Sequence, residues 1–451
     1  MVGFLSSLII CYSAYLSKCK DLPTAFYTIL GTTLFLFGNL IAQHPTLALE
    51  GEPNIPTPYW FSAIDVFEIG DNLPIRTSGR GCQSAPEDWR MGIVWGRTLV
   101  CIAEEVVSRR KVRPSPPPQP AFDLNGMPAF GTSFTPTPSP DEPQWPKDSP
   151  FALIVSRRPP VSRRLSIDTM SPNELMCLAQ DQFARGIFHM PHPQHSPGSR
   201  NLGILSSNIA ASFPRRPDLQ HQSSSSSSTL SSSLSSRSTI SDTFSRAKEL
   251  YTIGSEVLIL AEKLDISSER LHWAHWADGI FSQMKMESDT DAWRGAIASA
   301  RGRCCLVIGS AMAEELEGAL EREEMEVLSS QDAEDAREAL RRAVKYLESA
   351  MEATVSAEGL SAVAGGSKAL KESVLHGSTG VQDGEDGDDV IVEDEAETES
   401  QELKTLLAEA LLTLANLTAD TKERELLYAK AQKEGGGSFE LDDEDRMDES
   451  G

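Results

Sequence analysis

Six times along the chain an alanine is followed four residues later by a bulky side chain, and three residues after that by a small or flexible one. The copies are Ala63/Phe67/Gly70, Ala179/Phe183/Gly186, Ala247/Tyr251/Gly254, Ala277/Phe281/Met284, Ala343/Leu347/Ala350 and a degenerate one at Tyr428/Ala431. These offsets fall on one stripe of a helix, so each copy presents a knob flanked by places where another backbone can come close. That is the pattern of the second helix of a tetratricopeptide-type hairpin. A first-helix pattern recurs too: Leu34, Phe37, Gly38, Asn39 and Leu40 align with Leu411, Leu414, Ala415, Asn416 and Leu417. The spacing between copies is irregular where a regular array repeats about every 34 residues. Insertions are therefore required, and the sequence supplies them.

From Val112 to about Ile240 the chain runs through Pro114, Pro116, Pro117, Pro118 and Pro120, then Thr135 to Pro140, and reaches the serine run Ser223 to Ser228. Such a stretch buries too little apolar surface to offset chain entropy. Residues 112–241 are thus expected to be a disordered insertion, of which Ser115 to Ser166 and Gln194 to Ser238 can be deleted at little cost. One helix at about 171–188 interrupts it, where Ser171 caps, Pro172 sits at the first helical position and Glu174 stands three residues on. Around it the expected order is helical repeats at 19–111 and 242–357, an acidic flexible loop at 358–400, a helical hairpin at 401–434 and an acidic tail at 435–451. The fold class is all-α, a tetratricopeptide-like helical-repeat superhelix with a long disordered insertion. At the terminal hairpin Tyr428 is expected to be the buried knob.

The amino terminus reads two ways. Residues 1–18 are apolar, match no repeat and lack the basic leader of a signal peptide, so they are set aside as an unreliable segment. Leu22 to Gln43 is uncharged and long enough to span a bilayer. Pro23, Thr24, Thr28, Thr32, Thr33, Asn39 and Gln43 make it only moderately apolar, and it carries the Gly38-Asn39-Leu40 element, which points to a buried repeat helix.

The net charge of −25 is concentrated: Asp383 to Glu402 holds eleven acids and no base, and Glu440 to Glu449 seven acids and one arginine, together −17. Acidic runs of this kind solvate, or attract basic partners. Direct nucleic-acid binding is disfavoured because the helices offer no basic face for phosphate. Seven scattered cysteines without a C-x-x-C pair indicate reduced thiols, most of them buried in helices.

Chemistry-bearing motifs are sparse. His189, His192 and His195 stand among prolines, with no carboxylate or thiol placed to complete a metal site. His272 and His275, interleaved with Trp273 and Trp276, read as a helix packing layer. The sequence lacks G-x-x-x-x-G-K, G-x-G-x-x-G, G-x-S-x-G and H-E-x-x-H. No catalytic, cofactor or metal residues are assigned, and the chain is expected to act by binding. Arg163, Arg164, Leu165 and Ser166 form R-R-x-S, which suits a basophilic kinase and would place a phosphate on Ser166; the same arginines also fit a weak import signal.

Two stretches, DLPTAFYTILGTTLFLFGNLI (Asp21 to Ile41) and LLAEALLTLANLTADTKERELLYAKAQKEGG (Leu406 to Gly436), resemble the fungal enhancer-of-translation-termination family, which is related to the negative regulator of an oxygen-sensing 2-oxoglutarate dioxygenase. That resemblance implies an all-helical, tetratricopeptide-like nuclear protein that works by binding. Its partner would be the translation-termination machinery or a 2-oxoglutarate dioxygenase. Family members begin with a basic segment and a helix ahead of the Leu-Pro element, which Met1 to Lys18 replaces here. The residues leave two readings open: a nuclear adaptor, with the cytoplasm as the other compartment, and a membrane-tethered repeat scaffold anchored by residues 2–43.

Overall fold

In the first hairpin, two glycines on one helix face two bulky rings on the next. The computed structural model describes residues 24–48, 50–72, 88–112, 170–192, 244–287, 293–322, 324–363 and 391–435, with positions 145, 152 and 154 between them. Contacts divide the chain into a unit made of residues 1–190 and 247–451 and a second unit, 191–246. Of the second, only positions 191, 192 and 244–246 are described; the packing that follows belongs to the first.

The described helices are α1 (Thr24–Gln43), α2 (Thr57–Asp71), α3 (Trp89–Val112), α4 (Pro172–His189), α5 (Arg246–Ala261), α6 (Ser267–Gln283), α7 (Arg294–Leu320), α8 (Gln331–Val363), α9 (Ile391–Asn416) and α10 (Thr421–Gly435). No strand occurs among the described residues. The protein is all-α, and successive helices pair as hairpins.

What joins the first four pairs is a glycine seat. A side chain on Gly31 of α1 would collide with the Phe67 ring of α2, and one on Gly38 would come within 2.6 Å of the Trp60 ring. The same arrangement couples Gly96 of α3 with Phe183 of α4 at 2.6 Å, Gly254 of α5 with Phe281 of α6 at 2.8 Å, and Gly302 and Gly309 of α7 with Leu347 and Leu340 of α8 at 2.7 and 2.6 Å. In the first and fourth hairpins both the seats and the knobs are seven residues apart. Two helical turns on one helix thus match two on its antiparallel partner. Phe67, Phe183, Phe281 and Leu347 are all fully buried.

The triplet at Ala247/Tyr251/Gly254 therefore lies on a first helix, not a second one: Gly254 is the seat for Phe281, and Tyr251 is only partly buried, its ring tilted against those of Phe281 and Trp293. Tyr428 is also reassigned. It is 38% exposed rather than a buried knob, and its hydroxyl donates to Asn416 Oδ1 at 2.6 Å. Asn39 plays the same part in the first hairpin, accepting from Trp60 Nε1 at 2.9 Å. The alignment of Asn39 with Asn416 thus marks a shared role: the amide of the first helix holds the polar edge of a ring on the second. Ala431, one turn beyond Tyr428, is buried.

The helix at Pro172–His189 is not an island within an insertion. It is α4, the partner of α3, with its predicted capping box formed between Ser171 and Glu174. The flanking stretch is not wholly outside the interior either: Ile154 is fully buried, and Trp145 is 9% exposed with its ring edge-on to Tyr59 at 5.4 Å. Further on, α8 runs to Val363 and α9 begins at Ile391, so the expected 358–400 loop is shortened from both ends and part of the acidic run is helical.

The apolar interior consists of two main clusters that meet on α7, where Cys304 belongs to the first and Cys305 to the second. α1 contributes nine of its twenty residues to the buried set.

Two predictions follow from the seats and from Trp145. Gly302→Ala should destabilise by about 1–3 kcal/mol, because the added carbon overlaps Leu347. Gly279→Ala, in a helix interior with open space around it, should stabilise by about 0.5–1 kcal/mol. Urea denaturation of the two variants measures both, and equal effects would remove the seat from the account. Trp145→Ala should cost about 3 kcal/mol, and deletion of residues 115–166 should lower the melting temperature by several degrees, in contrast to the free deletion that composition suggests.

Candidate interaction surface on the first helices

Because each first helix packs one side against its hairpin partner and its flanks against its neighbours, little of it reaches solvent. On α3 the unburied positions through the middle are Val94, Arg97, Cys101, Glu104 and Ser108, a stripe at helical spacing, with Glu105 beside it. The corresponding positions on α5 include Thr252, Glu256 and Ile259, with Glu262 just past its end, on α7 Arg303, and on α9 Glu402, Thr405 and Glu409.

Charged groups on these stripes link one first helix to the next. Arg97 lies over the Phe35 ring of α1 at 5.7 Å and grips Glu256 of α5, with Nε 2.8 and 3.0 Å from the two carboxylate oxygens. Lys263, just past α5, pairs with Glu104 of α3. Arg303 of α7 donates to both oxygens of Glu262 at 3.0 and 2.8 Å and stands 3.7 Å from Glu402 of α9. The second helices are linked in the same order. Arg185 of α4 pairs with Asp71 of α2 at 2.9 Å, and Trp273 Nε1 of α6 donates to Asn173 of α4 at 2.9 Å. Arg342 of α8 stands 3.8 Å from Asp278 of α6, and Lys430 of α10 pairs with Glu348 of α8 at 2.6 Å. First helices thus face first helices, and second face second, from α1 to α10.

The first-helix surface holds more acid than base. Arg97, Lys263 and Arg303 face Glu104, Glu256, Glu262, Glu402 and Glu409, with Glu249 close enough to Arg97 and Glu256 to act on both. Burial works to lower the Arg97 pKa, but the Glu256 carboxylate outweighs it and holds the guanidinium proton above its ordinary value. Glu409 is raised, first because neighbouring protein withdraws it from water and then because Glu262 repels it, although the side chain still reaches solvent.

The second-helix face behaves differently from expectation at one point. Trp273 is buried and Trp276 partly so, stacking on Phe183 at 6.0 Å, while His272 and His275 point to solvent instead of joining the packing layer. One polar link is deeply buried: Arg301 of α7, 6% exposed, donates to both oxygens of Asp278 at 2.6 and 3.2 Å beneath the Tyr346 ring.

Among the described residues the thiols are not activated. The Cys101, Cys177 and Cys304 thiols are all pushed up by burial, and Cys305 is pushed up to about 11 by the same cause. They are protonated at neutral pH, the opposite of a nucleophilic thiolate. Cys177 is nevertheless exposed, against the expectation of buried helix residues; Cys101 is partly buried, and Cys304 and Cys305 are buried. Cys11, Cys19, Cys82, Ser166 and His195 lie outside the described residues. Among the described residues no group of three metal-ligating side chains occurs. A recess between α3 and α4, beside Trp89, Arg185 and His189, has a volume of about 10 Å³, room for one water molecule and far short of a small-molecule site.

The sequence indicated the bulky residues Phe67, Phe183, Phe281 and Leu347 and the two asparagines, but of the seats it singled out only Gly38 and Gly254, and it did not indicate the links between hairpins, since pairs such as Arg97 with Glu256 join positions far apart in sequence. Glu409 provides a test. Its folded-state pKa lies above the unfolded value, so at pH 7 the folded protein bears the cost of keeping it charged, and stability rises as pH falls through the folded pKa toward the ordinary glutamate value near 4.3. Glu409→Gln should therefore raise the melting temperature at pH 7 and flatten the rise between pH 7 and about 4.5, measured by thermal melts; an unchanged profile would show that Glu409 is fully solvated. Compared with known protein families, with characterised proteins and with solved structures, the chain shows no match.

Proposed function

We propose that the chain is a non-enzymatic adaptor that binds a protein partner along its first-helix surface, in the manner of tetratricopeptide-like repeat proteins. The observation that carries this reading is the pair of inter-hairpin link series. They keep first helices beside one another and give them one shared solvent face, where charged and apolar side chains alternate with no activated nucleophile among the described residues. A surface of this kind recognises an extended segment by side-chain complementarity along its length. The sequence resemblance makes the translation-termination machinery or a 2-oxoglutarate dioxygenase the partner to test first, and the nucleus the compartment.

The test uses the tagged full chain. Partners captured from nuclear extract and identified by mass spectrometry should be lost at least tenfold when Glu402 and Glu409 are changed to Arg. They should be retained when Glu338 and Glu352, exposed on second helix α8, are changed in the same way. Loss with the α8 pair and retention with the α9 pair would move the binding face to the second helices.

A membrane-tethered scaffold is the second reading, favoured by the length and apolarity of α1, whose mean hydropathy reaches 1.6. The burial of nine α1 residues against the hairpin favours the adaptor. Carbonate extraction of the full chain separates the two: release into the soluble fraction supports the adaptor, retention in the pellet the anchor.

A further inference from the structure

We draw no further inference here: the strongest candidate, the carboxylates of Glu262, Glu402 and Glu409 around Arg303 where α7 and α9 meet the end of α5, is a group of acidic side chains on the first-helix surface already described, and no second feature among the described residues points to a ligand for it.

Discussion

The glycine seat is the contact on which the rest of the structure depends. With a hydrogen where any other residue carries Cβ, Gly31, Gly96, Gly254 and Gly302 admit a ring or an isobutyl group against the helix backbone, and the two helices of a hairpin approach accordingly. Every other contact presupposes that approach. Ion pairs between hairpins can form only if the helices lie at the depth the seats set, and the first-helix surface is narrow because neighbouring helices are buried on three sides. Glycine in a helix interior costs roughly 0.5–1 kcal/mol relative to alanine. Burial of a phenylalanine in the seat returns several times that.

Apolar packing therefore builds each hairpin, and polar links order the hairpins. The links are mostly partly exposed, where single pairs contribute from nothing to about 1 kcal/mol, so their effect lies in register more than in stability. Arg301 with Asp278 is the exception. A charge pair this buried gains little net energy over an apolar pair but is costly to break, so it holds α6 against α7 in one relation, close to where the two apolar clusters meet.

Much of this was legible in the sequence because a seat and its knob leave a periodic trace. The triplets ending in Gly70, Gly186 and Ala350 marked second helices correctly, and the Asn39/Asn416 alignment marked a hydrogen bond to a ring in both hairpins where it occurs. The trace is symmetric between seat and knob, however, so Ala247/Tyr251/Gly254 was assigned to the wrong member of its hairpin: Gly254 satisfies the pattern because it receives Phe281. The same triplet at Ala179/Phe183/Gly186 argued that α4 belongs to the body, but the prolines and serines on both sides of it outweighed that signal. Trp145 and Ile154 left no trace, since a lone apolar residue in a polar stretch has no period. Pairings such as Arg97 with Glu256 are likewise invisible, because charged side chains on exposed stripes look alike until the helices are stacked.

The connections within hairpins differ greatly in length, and this bears on the order in which the molecule assembles. Ten residues separate α7 from α8, whereas fifty-nine separate α3 from α4. Closing the longer connection costs about 1.5 kcal/mol more in chain entropy, a penalty the second hairpin meets before any contact offsets it. The α7/α8 pair, with two seats and a short link, has no such delay. Because α7 also belongs to both apolar clusters, it offers a formed surface to helices on either side. Synthesis runs the other way, so α3 leaves the ribosome well before its partner, and the amino-terminal half waits for the helices that can hold it.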